Sequence, residues 1–384
     1  MEPETARDAV LQLARDEGFA LVRIAPADIV ASARKAAMDA HADGALDGMA
    51  WITDEWLERA TDPGRFLEGA RSVLLLALSY GSESPPAASA DGLTRGRIAA
   101  YAHGRDYHRI FEKKLRRIAR ALREDFNADA RPTVDYGPLL ERPLAALAGL
   151  GWQGKSTMLL VPGFGPWVML GAIATTLELA PDGPLRKTCG SCRRCITACP
   201  TGALSGDGGV VDARRCISYH TIENRGPIPR ELRASFGDWV FGCDACLDAC
   251  PVGGPGHDPH PEMLPHAVDD ALPPLAELLS LDADAFLERF RGRPIMRAKR
   301  DGLLRNACIA LGNVGSADDY AALESALNDE GLLVRGHAAW AVARLAERRV
   351  VAAPEAAAAL ENRSRVEHDP YVLDEIAAAL EMLA

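Results

Sequence analysis

Hydrophobic and polar positions follow two periods along this chain, and the change from one to the other divides it into regions. Near the N-terminus ETARDAVLQLARDEG has the 3.6-residue spacing of an amphipathic helix, whereas FALVRIA, RSVLLLALSY, STMLLVP and WVMLGAIATTLEL are short apolar runs separated by Gly and Pro turns. The mixture predicts an α/β or α+β domain over residues 1–180, ending at APDGPLRKT. A cysteine-rich stretch over 181–255 follows, and PVGGPGHDPHPEMLPH reads as a loop. Over 256–384 the chain becomes helical and rich in Ala and Leu. There LLRNACIALGN from Leu303, LVRGHAAWAVA from Leu333 and a weaker YVLDEIAAALE from Tyr371 resemble one another. That recurrence predicts stacked helical hairpins of the HEAT type, with ordinary amphipathic helices as the alternative.

With 384 residues and 48% hydrophobic content, the chain has material for two or three packed domains. Its net charge of -11 argues against broad attraction to nucleic acid or anionic membrane, so a polyanionic partner must be met by a local basic patch. The acidic start MEPETARDAVLQLARDEGF lacks the apolar core of a signal peptide, which predicts a cytoplasmic location. The apolar runs Val73–Leu78 and Trp167–Ala174 are too short to cross a bilayer, so no membrane partner is expected. In a reducing compartment, nine cysteines point to metal or redox chemistry rather than structural disulfides.

The cysteine spacing is the strongest signal. Cys189, Cys192, Cys195 and Cys199-Pro200 reproduce the bacterial ferredoxin run C-x2-C-x2-C-x3-C-P. Three closely spaced cysteines wrap one cubane, while the fourth opens a helix pointing away and ligates another cluster. Cys243, Cys246 and Cys250-Pro251 supply three positions of a second run; Val240 stands where its first cysteine would fall, and Cys216 replaces it. The expected ligands are Cys189, Cys192, Cys195 and Cys250 for one 4Fe-4S cluster, and Cys199, Cys216, Cys243 and Cys246 for the other. A pair of structural zinc sites also uses C-x2-C pairs but leaves the x3-C-P ending and the crossed pattern unexplained. Cys308, alone in a helical stretch, reads as a small core residue. Two clusters form a short electron path that needs a redox terminus in the N-terminal domain.

Two motifs invite other readings. GLGWQGKS, Gly149 to Ser156, satisfies the Walker A expression, but helical sequence precedes it and strand-like sequence follows, the reverse of a phosphate loop. DAHADG, Asp39 to Gly44, has the D-x-H-x-x-G pattern of histidine-ligating cobalamin proteins without its companion segments, so His41 reads as a surface residue near a helix end.

The flanking segments YAHGRDYH, VDYGPLLERPLA, GLGWQGKST, FGCDACLDACP, ALGN and VRGHAAWA together resemble the epoxyqueuosine reductase family over nearly the whole chain. The resemblance implies a cobalamin-dependent enzyme with two 4Fe-4S clusters, similar in core architecture to reductive dehalogenases, that reduces the epoxide of epoxyqueuosine to queuosine at the tRNA wobble position. It implies an α+β fold: an α/β-type cobalamin-binding domain, a ferredoxin-like module and a helical-repeat tail. This chain departs from the usual family pattern at Gln153, Ser156, Leu247, Val252 and Gly253.

By family position Asp135 is the implied proton donor beside cobalt; taken alone it also reads as a turn former ahead of Gly-Pro. As an acid it requires a carboxyl pKa raised by burial. Asp106 and His108 form a candidate proton relay, with Asp106 as a helix cap being the plainer reading. Tyr101, Arg142, Lys155, Ser156, Thr157 and Ser218 are the implied cobalamin contacts, donors suited to a cofactor carrying amides and a phosphate. For tRNA phosphates the segment from Arg289 is favoured, with Arg291, Arg293, Arg297, Lys299 and Arg300; the basic run from Arg109 reads first as the wet face of a helix. SYHTIENRGPIP, carrying Asn224, is expected to wall the cleft that receives the flipped base of the anticodon stem-loop, unless it is a mobile linker. An external low-potential electron donor is required, and nothing in the sequence demands more than a monomer. The competing readings are a small-molecule cobalamin reductase and an electron carrier.

Overall fold

The computed structural model describes residues 2–81, 91–254 and 258–384, so Pro255–His257 of the predicted loop lie outside the described residues. The chain forms two compact units, each built from three segments: the described residues within 1–84, 105–214 and 245–264, and those within 85–104, 215–244 and 265–384. The linear boundaries expected near residues 180 and 255 are therefore corrected. The cysteine-rich stretch is shared, with 215–244 belonging to the second unit and its flanks to the first.

The first unit is built on strands β1 (Leu21–Pro26), β2 (Ser72–Ser79), β3 (Ala130–Thr133) and β4 (Val168–Thr175), in the order β1-β2-β4-β3. Every neighbouring pair is antiparallel, so the unit is α+β rather than the parallel α/β arrangement. Three of the predicted apolar runs become β1, β2 and β4, whereas STMLLVP supplies only the two-residue strand Leu159–Leu160. β2 is buried at every position, as a strand covered on both faces must be.

The helices α1 (Pro3–Asp16), α2 (Tyr107–Phe126) and α3 (Glu141–Leu147) supply that cover. α1 starts on a proline and buries Ala6, Val10, Leu11 and Ala14 on one stripe. α2 lies close enough to β4 that a Cβ on Gly171 would come within 2.6 Å of Phe111 Cδ1. On the other face, Leu144, Ala145 and Ala148 pack with Val73, Leu75 and Ala77 of β2.

The second unit is dominated by α4 (Lys299–Val314), α5 (Leu332–Glu347) and α6 (Pro370–Glu381), which pack in series and carry the three similar segments found in the sequence. Helices Tyr320–Ala326 and Ala353–Ser364 connect them. Cys308 sits in the core of α4 with no exposed surface, and burial pushes its thiol pKa up.

The same helix buries a polar staple. Arg305 Nη1 donates to the carbonyls of Asn224 (2.9 Å) and Gly226 (2.7 Å), and Nη2 donates to that of His220 (2.5 Å). Asn306 Nδ2 donates to the carbonyls of Thr221 and Val240 at 2.9 and 2.8 Å. Burial lowers the Arg305 guanidinium to about 9. Residues 218–229 are thus a short helix and a turn fastened to α4, not a linker. Arg305→Met fills similar volume but leaves three carbonyls without their donor. Urea denaturation should show a loss of about 2–4 kcal/mol.

Candidate active site and cluster cysteines

The loop from β3 to α3 carries Asp135. Its backbone has φ 54°, and the Tyr136 N–H donates to the Val134 carbonyl at 2.5 Å, making Asp135 the centre of a tight three-residue turn. Such turns are rare for a residue with a Cβ and store strain that the surroundings must hold. The loop then folds onto β3, where a Cβ on Gly137 would lie 1.9 Å from Thr133 Oγ1.

First-turn residues of two helices meet this aspartate. From α2, the Tyr107 hydroxyl donates to Asp135 Oδ2 at 2.5 Å, and His108 Nε2 lies 3.8 Å from the same oxygen. From α3, Glu141 Oε1 accepts the Asp135 backbone N–H at 2.9 Å. The Asp135 side chain remains 67% exposed, so the chain itself does not supply the burial expected for a raised pKa. Any such desolvation must come from whatever covers the loop.

Asp106 caps α2 by accepting the His108 backbone N–H at 3.0 Å, and its Oδ1 also lies 2.7 Å from His108 Nδ1. The cap is therefore present, and the same carboxylate bonds the imidazole that stands 3.8 Å from Asp135. Nδ1 faces a carboxylate and so carries the proton, which turns Nε2 toward Asp135. Burial would raise the Asp106 carboxyl, but the hydrogen bond and charge of His108 outweigh it and the net shift is downward. Burial first, and the neighbouring Asp135 second, push Glu141 from 4.5 up to about 7. Sequence reasoning missed Tyr107 and Glu141, although both lie inside the quoted segments YAHGRDYH and VDYGPLLERPLA.

Four of the cysteines lie near one another in the first unit. Cys195 interacts electrostatically with Cys189 and Cys250, and Cys250 with Cys189 and Cys192. Burial, with those neighbours adding to it, raises the thiol pKa of Cys195 and of Cys250. The short helices Arg194–Ala198 and Ala245–Asp248 pack together and bring the two runs side by side. Of the other four, Cys199 ends the first of these helices and Cys246 lies in the second. Cys216 and Cys243 belong to the second unit, where Cys216 opens the helix Ile217–Ile222.

Among the remaining predicted residues, Tyr101 and Ser218 lie in the second unit. There Asp244 Oδ2 accepts the Ala100 N–H at 2.7 Å and ties the Cys243 loop to the turn of Tyr101. In the first unit GWQGKST is the tip of a hairpin between Trp152–Gln153 and Leu159–Leu160, not a phosphate loop opening a helix. Arg142 is exposed and reaches only the Thr157 carbonyl, at 3.4 Å; Ser156 is buried and Thr157 has φ 68°. Lys155 Nζ donates to the Gly190 carbonyl at 2.9 Å, so its ammonium is directed to the cysteine loop. His41 lies in the last turn of the helix Ala31–Ala42, 3.7 Å from Asp54, and is half-buried rather than fully exposed.

Residues 188–253 match the 4Fe-4S double cluster binding domain, and residues 60–136, ending just past Asp135, match the family described as epoxyqueuosine reductase QueG, DUF1730. An epoxyqueuosine reductase of Xanthomonas campestris pv. campestris is 36% identical over 353 residues, covering 89% of this chain and 97% of the relative. That of Escherichia coli K12 is 36% identical, covering 86% and 87%. The chain belongs to the epoxyqueuosine reductase family. Among solved epoxyqueuosine reductases, one with a tRNA-Tyr epoxyqueuosine-modified stem loop matches with a TM-score of 0.91 at 30% identity over 99% of both chains. Another, from Bacillus subtilis with its catalytic loop swung out of the active site, matches with a TM-score of 0.90 at 30% identity over 99% of both chains.

Within this member of the epoxyqueuosine reductase family, the departures Gln153 and Leu247 are exposed and buried, respectively. The predicted phosphate patch is largely neutralised. Arg293 pairs with Asp270 and the His103 carbonyl, and Arg300 with Asp329 at 2.6 Å, both mostly buried. Arg289 lies 3.6 Å from Glu277, and Arg297, though exposed, pairs with Glu223 at 2.8 Å. Only Arg291 and Lys299 of that set have no ion pair among the described residues. The Asn224 side chain is bonded within its own turn, to His220, Pro227 and the Gly226 N–H. On α2, by contrast, Arg109, Lys113 and Arg120 are exposed and bonded to no side chain among the described residues.

Because the folded pKa of Glu141 is raised, its contribution to stability is full below about 4.5 and declines as pH rises through about 7. Glu141→Gln cannot titrate. Its melting temperature should fall less between pH 5 and pH 8 than that of the parent protein, as scanning calorimetry would read.

Proposed function

We propose that this chain reduces the epoxide of epoxyqueuosine to queuosine at the wobble position of tRNA. The observation that carries the reading is the exposed Asp135 carboxyl, bonded by the Tyr107 hydroxyl with His108 3.8 Å away, in a chain bearing a double-cluster cysteine domain. Membership of the epoxyqueuosine reductase family supports the substrate. Removing the epoxide oxygen as water and leaving a carbon–carbon double bond takes two electrons and two protons.

Asp135 gives its proton to the departing oxygen, and the Tyr107 hydroxyl steadies the carboxylate that results. His108, with its Nδ1 proton held by Asp106, takes a proton from solvent at Nε2 and as imidazolium returns it to Asp135. The electrons enter through two 4Fe-4S clusters, for which we propose Cys189, Cys192, Cys195 and Cys250 as one ligand set, and Cys199, Cys216, Cys243 and Cys246 as the other. The grouping of the first four thiols supports that division. An external low-potential donor feeds them.

Cobalamin is the implied cofactor, and the donor chemistry fits it: the Arg142 guanidinium is exposed and nearly unbonded, and Tyr101, Ser156, Thr157 and Ser218 offer hydroxyls to its amides and phosphate. Lys155 fits less well because its ammonium already serves Gly190. When bound, cobalamin supplies strongly reducing chemistry at carbon. The serial packing of α4, α5 and α6 supports a HEAT-type tail.

For the RNA backbone we propose the α2 cations Arg109, Lys113 and Arg120, together with Arg291 and Lys299. The α2 row starts one residue beyond His108, so phosphates bound along it lead to the aspartate. We propose that the enzyme acts in the cytoplasm as a monomer.

Asp135→Asn should leave iron content unchanged and lower the turnover of epoxyqueuosine-containing tRNA by at least about 100-fold. Near-normal turnover would remove Asp135 from the mechanism. Charge reversal of both Arg109 and Lys113 should weaken stem-loop binding and reduce the slope of log affinity against log salt by about 1–2, as fluorescence anisotropy at several salt concentrations would measure.

A further inference from the structure

The proton-delivering loop needs an anchor that does not run through the reacting carboxyl. Asp135 is two-thirds exposed, and His108 stands 3.8 Å away, beyond direct hydrogen-bond reach. The Tyr107 hydroxyl bonds the carboxyl itself, the group that the proposed reaction uses, so that contact is not independent of the chemistry. The backbone of Asp135 has φ 54°, a conformation that is unfavourable for a residue with a Cβ and relaxes unless something restrains it.

One side chain bonds that backbone from outside the turn. Glu141 Oε1 accepts the Asp135 N–H at 2.9 Å, and Glu141 is the first residue of α3, whose Leu144 and Ala145 are buried against the sheet. The acceptor therefore stands on a rigid element. We propose that Glu141 is the positioning residue of the catalytic loop, holding Asp135 through its backbone N–H in the left-handed turn that presents its carboxyl to Tyr107 and His108. The inference rests on the reading that Asp135 delivers the proton.

Two charged groups face Glu141: Asp135, which disfavours a second negative charge, and Arg142, which favours it. What the loop requires is an acceptor oxygen, and glutamine supplies one without the charge. This separates the inference from the ordinary benefit of an acidic residue at a helix start, which glutamine would not reproduce.

The test compares Glu141→Ala and Glu141→Gln in the cluster-loaded enzyme by hydrogen–deuterium exchange of the peptide spanning residues 133–140 and by steady-state kinetics. In the alanine variant, loop exchange should accelerate by about tenfold and kcat should fall by about 100-fold, with KM within about twofold of the parent. In the glutamine variant both exchange and kcat should stay within about threefold of the parent. Unchanged loop exchange in the alanine variant overturns the proposal, and so does a glutamine variant as impaired as alanine. If the alanine variant does not fold, Glu141→Met, similar in size and without an acceptor, takes its place with the same expected outcomes. An active Asp135→Asn enzyme would sink the proton-donor reading while leaving the exchange result to stand.

Discussion

The placement of Asp135 in the first unit depends on an antiparallel sheet that must be covered on both faces. With every residue of β2 buried, apolar surface points both ways, and α2 and α3 take opposite faces of the sheet. The chain passes from one side to the other around the end of β3, and the loop that makes the passage is drawn between the first turns of both helices. Helix N-termini carry N–H groups without intrahelical partners and a positive end, so a carboxylate placed there is favoured even when it faces water. Asp135 is in that position because of the packing behind it. Asp106 shows the same economy: one carboxylate starts α2 and also holds the imidazole that stands beside the loop.

In the second unit a buried cation has a comparable organising role. A guanidinium removed from water is tolerated only when its donors are occupied, and the carbonyls of His220, Asn224 and Gly226 occupy those of Arg305. The arrangement gives the segment after Cys216 a defined path across α4, and Asn306 extends it to the strand Trp239–Phe241, which leads to Cys243. A polar network so deep in an apolar core specifies one arrangement of its neighbours, because any slip leaves several groups unpaired.

The sequence made some of these features legible and hid others for identifiable reasons. The apolar runs of β1, β2 and β4 were readable because each is continuous and ends at turn residues. The two-residue strand Leu159–Leu160 was overread, since local composition says nothing about how soon a hairpin must close. Asp135 was found through family resemblance; nothing local separates it from an ordinary turn aspartate. Glu141 was missed because its role is a bond to a backbone N–H six positions earlier, which no side-chain pattern encodes. The arginines from Arg289 onward looked like a free patch because their partners Glu223, Asp270 and Asp329 are distant in sequence. The linear domain boundaries failed for a related reason: the chain leaves the first unit and returns to it, and composition records no such excursion.

That excursion bears on how the chain between the cysteines is held. Cys195 and Cys250 approach one another, yet the chain between them passes through the second unit along 215–244. A cluster seated on both thiolates would be a clasp closing a long loop, and a clasp of that kind stabilises chiefly by removing conformations from the unclosed chain. Arg305 fastens part of that loop to α4 through three backbone carbonyls, so a stretch of its path is already defined by the polypeptide alone.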